Sequence, residues 1–309
     1  MPKLRIPIGI TSGGRPAAAC EISPLGVVAA ATPAAGEAPV YASEPLAPMV
    51  LTPGLESNVF DPPAVSTAVR SALNRVQPRV RSVTVVVPDS SVRVFVLDFD
   101  TLPTKQEEAL PVLRFRLRKS VPFDVEHAGL SYQVLSEGST RDERQWKVLA
   151  AIMPGPVLAE YESVVRSAGF EPGVVLPASL AALAAIQGME SQEAVLVVNL
   201  STRALTTSIV SGNDILLYRT VELPADAEAQ KGEVQRSIAV AAAFFEDRLQ
   251  VRPHRLLYSG VLSALEFTEL VDDPAMAVGE VVRRPEVGLA SAMGTHSVAG
   301  VTGALAGTN

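Results

Sequence analysis

Residues 194–223, AVLVVNLSTRALTTSIVSGNDILLYRTVEL, restart a strand pattern well past the middle of the chain. Three runs rich in Val, Leu, Ile and Thr are parted by short polar turns, which predicts three consecutive strands. Residues 17–31, AAACEISPLGVVAAA, have the same form: two short apolar runs hinged at Pro24 to Gly26, again a hairpin. Two halves that both open as strand, turn, strand predict two lobes of one α/β design, with the boundary at MESQE just before Ala194.

Length agrees with this division. A chain of 309 residues is too long for one small core and suits one large bilobal domain or two ordinary ones. Charged residues make up 19 % of it against a usual figure of about 25 %, and apolar residues reach 48 % with few aromatics, so Ala and Val must build much of the core. Such a chain is expected to bury surface against another protein. The net charge of -7, with no compensating Lys/Arg block, points away from nucleic acid.

The start, MPKLRIPIGITSGGRPAAACEI, lacks the long apolar stretch of a signal peptide. The run IAVAAAFF at 238–245 is far short of the ~20 residues of a membrane-spanning helix. A cytoplasmic protein is expected. The single cysteine, Cys20 in AAACEIS, agrees with a reducing compartment and reads as a buried strand thiol rather than a nucleophile.

Between the hairpins the pattern alternates. A looser segment runs to Phe60, and then DPPAVSTAVRSALNRV predicts a helix, with Asp61 as cap, Pro62 in the first turn and Val65, Val69, Leu73 and Val76 on one face. SVTVVVP and VRVFVLDFD predict buried strands on either side of Asp89 to Ser91. TKQE predicts a helix start with a reciprocal Thr104 and Glu107 capping box, and Pro111 is expected to kink or interrupt that helix. LSYQVL and WKVLAAIM are strands enclosing a polar loop, SEGSTRDERQ. GPVLAEYESVVRSAGF is a helix from Pro156 to Gly169, and PASLAALAAIQG is a short Ala-rich helix that must pack closely.

Most chemistry-bearing patterns are missing. His127, His254 and His296 have no Cys or second His at ligand spacing, so no metal site is predicted. Ser259-Gly260 lacks the preceding glycine of a nucleophile elbow, and there is no Gly-x-x-x-x-Gly-Lys loop. The basic run RFRLRK, with Arg114, Arg116 and Arg118, reads first as a solvated helix face and second as a surface for acidic headgroups or a partner. Asp98 and Asp100 alternate in strand register and read as an edge-strand or partner-facing pair rather than a catalytic dyad.

Two lobes that each open with a hairpin resemble the actin-like ATPase superfamily, and within it the order of elements is similar to PilM, a relative of FtsA. The resemblance rests on SVTVVVPDSSVRVFVLDFD, then the Glu-containing helix, RKSVPFDVEHAGLSYQVL, and KVLAAIMPGPVLAEYESVVRSAGFEPGVVLPASLAALAA. The second half adds VQRSIAVAAAFFEDRLQVRPHRLLYSGVLSAL and AGVTGALAG, so the likeness runs from about Ala18 to near the end. It implies an α/β fold of actin-like (ribonuclease H-like) type, with two lobes, each a mixed sheet flanked by helices. The first lobe would span 1–190, with an inserted α+β subdomain at about 90–168, and a shortened second lobe 191–309.

The departures from that superfamily bear on chemistry. Its first phosphate loop begins with aspartate and glycine, where this chain has Glu21, Ile22, Ser23 and Pro24. Its second expects Asp-x-Gly with a threonine four residues on, where this chain has Asn199, Leu200 and Ser201, with Leu205 at the threonine position and Thr206 one beyond. Asn199 brings no negative charge to a magnesium shell, and such sites use one or two carboxylates. The Gly-Gly pair that lies against the nucleoside becomes Gly260 and Val261. AEAQK, 227–231, fits the Ala-Glu-x-x-Lys nucleoside pattern but reads first as a solvated helix end or loop.

The resemblance therefore implies a non-catalytic cytoplasmic scaffold, not an enzyme. It would serve the inner-membrane assembly platform of a type IV pilus and bind the N-terminal tail of a PilN-like membrane protein. A strand-like peptide adding to a sheet edge would meet Val86, Pro88, Pro122 and Phe123. The alternative is an ATP-binding actin-like protein with weak or no hydrolysis, contacting the nucleotide through Ser23, Ser201, Thr202 and Gly260 without a strong metal. A third reading is the cytoplasmic domain of a type II secretion GspL-like protein.

Overall fold

A computed structural model describes residues 15–33, 37–140, 143–186, 193–212, 214–283 and 297–306. The first sheet contains β1 (Ala18–Ser23), β2 (Gly26–Ala31), β3 (Val40–Pro45), β4 (Ser82–Val87) and β8 (Glu171–Pro177), in the order β3-β2-β1-β4-β8. Its first three strands are antiparallel, and β4 and β8 join parallel to β1. The second sheet repeats the plan. Strands β9 (Val195–Leu200), β10 (Ala204–Ser211) and β11 (Asp214–Glu222) are antiparallel, and β12 (Arg255–Gly260) and β13 (Ala277–Glu280) add in parallel, giving β11-β10-β9-β12-β13.

Both predicted hairpins form, and β3, which lies inside the segment read as loose, extends the first of them. Helix α1 (Pro62–Val76) starts as its sequence demands: the Asp61 side chain accepts from the Ala64 amide, and Val65, Val69, Leu73 and Val76 are buried. It packs on one face of the first sheet with α3 (Gly155–Ser167), whose Val157, Tyr161, Val164 and Val165 join the same core. Helix α3 therefore belongs to the first core rather than to the insert.

The insert is a third sheet in the order β5-β7-β6, built from β5 (Arg93–Phe99), β6 (Gly129–Thr140) and β7 (Glu143–Met153), and carrying α2 (Gln106–Leu117). Three details differ from expectation. The strands β6 and β7 run on through the segment predicted as a polar loop, because 11 residues of cross-strand register carry the ladder to Thr140↔Glu143. Helix α2 begins one residue later than the predicted box: Lys105, not Thr104, stands at the N-cap, with no side-chain bond. Pro111 lies inside it without ending it, at the loss of one ladder hydrogen bond. Asp98 and Asp100 are exposed, and Asp98 lies on β5, an edge strand of its sheet.

Two further helices join the lobes. Helix α4 (Ala178–Ile186) follows β8, and its Leu180, Ala182 and Leu183 form a cluster with Leu149 of the insert and with Val197, Ile215, Tyr218 and Leu257 of the second lobe. The last helix, α7 (Ala299–Leu305), returns to the first sheet, where Val301, Ala304 and Leu305 pack on Ala19, Val28, Ala30, Val86 and Leu176. The α4–α7 contact is backbone-close, since a Cβ on Gly303 would fall 1.8 Å from the Ala181 carbonyl oxygen. The second lobe has α5 (Ala227–Leu249) and α6 (Ala264–Val271) on its other face. Among the described residues no helix is long and apolar enough to cross a membrane.

Candidate functional site

The ends of β1, β4, β9 and β12 meet in a cleft between the lobes. Ser23, Ser201, Thr202 and Gly260 all line it, together with Glu21, Pro88, Asp89, Asn199, Arg203, Val261 and Gly300. The parallel register explains the convergence, since Ser259 pairs with Asn199 and Gly260 with Leu200, so both strands end at the same level. Gly260 has a positive φ of 156°, and a Cβ there would come within 2.3 Å of the Leu200 carbonyl oxygen. Glycine is required by this close approach of backbone to backbone.

At the cleft floor stands Asp89, in the short helical turn Asp89–Ser91 between β4 and β5. Its Oδ1 accepts from the Ser179 amide at 3.0 Å and the Ser179 hydroxyl at 2.7 Å. Its Oδ2 accepts from Asn199 Nδ2 at 2.9 Å and from Thr206 Oγ1 at 3.2 Å. Asn199 Oδ1 in turn accepts from the Ser259 hydroxyl at 2.9 Å, so both ends of the amide are engaged. Tyr218 hydrogen-bonds Ser179, and Thr206 shares a hydrogen bond with Thr220 at 2.9 Å. Burial pushes the Asp89 carboxyl up from its ordinary range, and the bonds from Ser179, Asn199 and Thr206 oppose that rise. Four donors converge on the two oxygens of Asp89, and each bond favours the ionised form. It ties the first lobe, α4 and the second lobe to one point.

Glu21 lies beside it with the opposite arrangement. No hydrogen-bond donor reaches Glu21 Oε2, which is shut off from solvent. A Cβ on Gly300 would sit 2.3 Å from that oxygen, so α7 is pressed against the carboxyl group. Burial first, and the charge of Asp89 second, push the Glu21 carboxyl up to about 8.

The serines expected at phosphate groups serve their own turns. Ser23 Oγ donates to the Gly26 carbonyl at 3.1 Å. Ser201 Oγ donates to the Ala204 carbonyl and accepts from the Ala204 amide, each at 3.0 Å, closing the β9–β10 turn on itself. Val261 lines the cleft beside Gly260. At the position where the actin-like fold family places a metal-binding aspartate, Asn199 offers a neutral amide bonded to Asp89 and Ser259, and the Ala204 amide is bonded to Ser201.

The remaining predicted residues scatter. Val86 has no exposed surface, being packed under α7 with Val301 and Ala304, so its side chain cannot meet a partner. Pro88 lines the central cleft, whereas Pro122 is exposed and Phe123 half-buried on the insert, against Leu117, Val125 and Ala128. The segment AEAQK forms the first turn of α5 with Glu228 and Lys231 exposed, capped by Asp226. Arg114 donates to the carbonyls of Val125 and Ala128, and Arg118 pairs with Glu126 at 2.7 Å, leaving Arg116 exposed on the predicted solvated face. His127 pairs with Asp124 on the surface. His296 lies outside the described residues. Among the described residues, no three His, Cys, Asp or Glu side chains converge as a metal cluster.

Sequence reasoning passed over Asp89 as a loop residue and missed a second polar hub. Asn58, fully buried, holds the strap 54–58 to the body of the protein: its Oδ1 accepts from Gly54 at 2.9 Å, Ser91 at 2.7 Å and Tyr161 at 3.2 Å. The Glu160 carboxylate takes the Ser57 hydroxyl and the Asn58 and Val59 amides. The one signal for Asp89 was its place just after a buried, Val-rich strand, where a carboxyl group must find partners.

No protein-family model matches the chain, and no curated protein matches it. Solved structures do. A chain of the PilM-PilN type IV pilus biogenesis complex superposes on 95 % of this chain and 98 % of its own length, with a TM-score of 0.73 at 20 % identity. A Bacteroides thetaiotaomicron protein with an actin-like ATPase fold and unknown function covers 88 % of this chain and 94 % of its own, with a TM-score of 0.51 at 10 % identity. The cytoplasmic domain of EpsL, an inner membrane component of the type II secretion system of Vibrio cholerae, covers 89 % and 91 % with a TM-score of 0.49 at 14 % identity. The repeated five-stranded plan and the first two superpositions establish an actin-like two-lobed α/β fold.

Proposed function

We propose that this protein is a non-catalytic cytoplasmic scaffold at the inner face of a bacterial inner membrane, in a type IV pilus assembly platform, where it binds the N-terminal tail of a PilN-like membrane protein. The observation that carries the loss of catalysis is the bond from Asn199 Nδ2 to Asp89 Oδ2. At the position where the fold family places a metal-binding aspartate, this chain donates a hydrogen bond across the lobes instead of offering a charge. Phosphoryl transfer without metal-held charge neutralisation loses its main source of stabilisation. What remains is a two-lobed body joined at Asp89, with an insert that packs on α4 and the second lobe through Leu149.

The partner reading is supported by the match, over nearly all of both chains, to a component of the PilM-PilN complex. Exposed Pro122 and half-buried Phe123 on the insert stand as the contact residues, with Pro88 at the cleft. The sequence has a single tryptophan, and Trp146 lies on β7 of the insert, so it reports on that subdomain. Titration of a PilN-like cytoplasmic tail peptide should change Trp146 fluorescence saturably, and Phe123→Ala should weaken the response at least tenfold. A peptide that binds the variant and the parent equally well would remove Phe123 from the interface, and no binding at all would remove the partner assignment.

A nucleotide held without hydrolysis is the competing reading. The convergence of Ser23, Ser201, Thr202 and Gly260 on one cleft favours it. The internal bonds of both serines oppose it.

A further inference from the structure

We propose that the outward face of α2 docks on the anionic headgroups of a lipid bilayer, with Phe115 entering the headgroup region and Arg116, Arg118 and Lys119 meeting lipid phosphates around it. The helix lies on the insert sheet through Ala109, Leu113 and Leu117, which are fully buried. Phe115 stands on the other side, 78 % exposed. A lone exposed apolar residue is ordinary on a protein surface. What sets Phe115 apart is its surroundings. Residues three and four positions away share its face: Pro111 is exposed, Val112 half-buried, and Arg118 and Lys119 exposed. The backbone keeps its helical turn that far, since the Arg118 amide donates to the Arg114 carbonyl at 3.0 Å and the Ser120 amide to the Leu117 carbonyl at 2.8 Å.

Charge selects the partner. Residues 111–123, PVLRFRLRKSVPF, hold three arginines and a lysine and no acid, in a chain whose net charge is -7. Arg114 is turned to the Val125 and Ala128 carbonyls. Among the described residues Arg116 and Lys119 have no ion-pair partner, and Arg118 meets Glu126 in an exposed pair that a lipid phosphate can replace. Of the acids nearby, Asp124 is held by His127. Glu107 and Glu108 are in the first turn of α2. At the rise of an α-helix they lie about 16 Å or more along the axis from Lys119, beyond the screening length of about 8 Å at physiological salt. The helix dipole accounts for cations in a last turn. It does not account for a phenylalanine set among them.

This combination fits a lipid surface better than a protein. Stable protein interfaces bury about 1,000 Å² or more, and their cores are depleted of lysine. Phe115 instead stands on the outer face of one helix, ringed by cations. At a bilayer surface an aromatic ring enters the acyl boundary while Arg and Lys side chains reach up to the phosphates. Each basic residue near an anionic surface raises the bound fraction about fivefold. The contact is interfacial, since no described helix is long and apolar enough to cross a membrane. The inference rests on the proposed placement at an inner membrane and adds direct lipid contact to the contact made through a partner's tail.

The test is co-sedimentation of the full chain with vesicles of phosphatidylethanolamine and phosphatidylglycerol, and with vesicles of phosphatidylcholine alone, at low and high salt. The proposal expects binding to the anionic vesicles, at least tenfold weaker binding to phosphatidylcholine, and a steep loss as salt rises. Arg116→Glu combined with Lys119→Glu should lose at least tenfold, and Phe115→Ser several-fold. Arg248→Glu, an exposed charge reversal on α5, should bind as the parent does. Phe115→Trp should shift the emission to the blue on anionic vesicles, by more than the parent's Trp146 does. All four positions are exposed, so circular dichroism should show every variant folded. Absence of binding to anionic vesicles, binding that the double reversal leaves undiminished, or an unshifted emission would overturn the proposal. Binding of polyglutamate without binding of vesicles would assign the face to an acidic protein and overturn it too. The tail-peptide titration is run on the same samples. Vesicle binding without peptide binding leaves the lipid contact standing without that partner, and peptide binding without vesicle binding leaves the partner reading standing alone.

Discussion

Asn199 of β9 and Asp89 of the turn after β4 are joined by a hydrogen bond of 2.9 Å that spans the two lobes. An amide does here what an aspartate could not. Asn199→Asp would set a second carboxylate against Asp89 and the nearby Glu21, with no donor between them. The variant should lose about 2–4 kcal/mol at pH 7, the cost of a lost charge-assisted bond plus like-charge repulsion. Part of that loss should return as pH falls and one carboxyl of the pair takes up a proton. Urea unfolding of both proteins at pH 5 and 7 measures it, and a variant as stable as the parent at both would show that the bond has no structural weight.

Glu21 gives the chain a pH-dependent stability of definite sign. Its carboxyl is raised to about 8 in the fold from an ordinary value of 4.5, so the native state keeps a proton that the unfolded chain releases. The stabilising contribution is present below about 4.5 and is lost as pH rises to about 8, at up to about 1.4 kcal/mol per pH unit. Glu21→Gln should remove this slope, so its stability relative to the parent should grow between pH 5 and 8. Parallel pH profiles for the two proteins would contradict the buried position of Glu21.

Gly303 fixes how closely α7 approaches α4. Its hydrogen faces the Ala181 carbonyl, where a methyl group would overlap at 1.8 Å. Gly303→Ala should cost about 1–3 kcal/mol through overpacking, despite the better helix propensity of alanine. A thermal melt decides the sign. A rise in Tm would mean that propensity outweighs the contact.

Cys20 should be inert in the native protein. It is fully buried on β1, and desolvation pushes its thiol up to about 12, so little thiolate exists at pH 8. A chromogenic disulfide reagent should react with it only after denaturation. Reaction within minutes in native buffer would show that the first sheet opens.

Much of the fold was legible because its signals are local. The PLG and polar turns of the hairpins, the Asp61 cap and the apolar face of α1 each fix an element within a few residues, and the parallel neighbour β4 is a Val-rich run. The elements that escaped depend on distant contacts. β3 has a weak pattern and exists because β2 offers an edge, and α2 passes through Pro111 because Ala109, Leu113 and Leu117 bury its face on the insert sheet. The same distinction divides the site. Position in the two hairpins brought Ser23, Ser201, Thr202 and Gly260 to one cleft, but sequence could not show that Ser201 closes its own turn. Nor could it show that Asp89 holds the lobes together, because its partners Ser179, Asn199 and Thr206 lie 90 to 117 residues away. Val86 was misplaced for a related reason: a strand residue shows its period but not which layer covers it.

The most direct test of the non-catalytic account is steady-state phosphate release from ATP with magnesium, measured on the full chain beside Asn199→Ala. The account predicts no release above buffer for either protein. Turnover by the parent that Asn199→Ala abolishes would contradict it and make Asn199 a working residue of a nucleotide site.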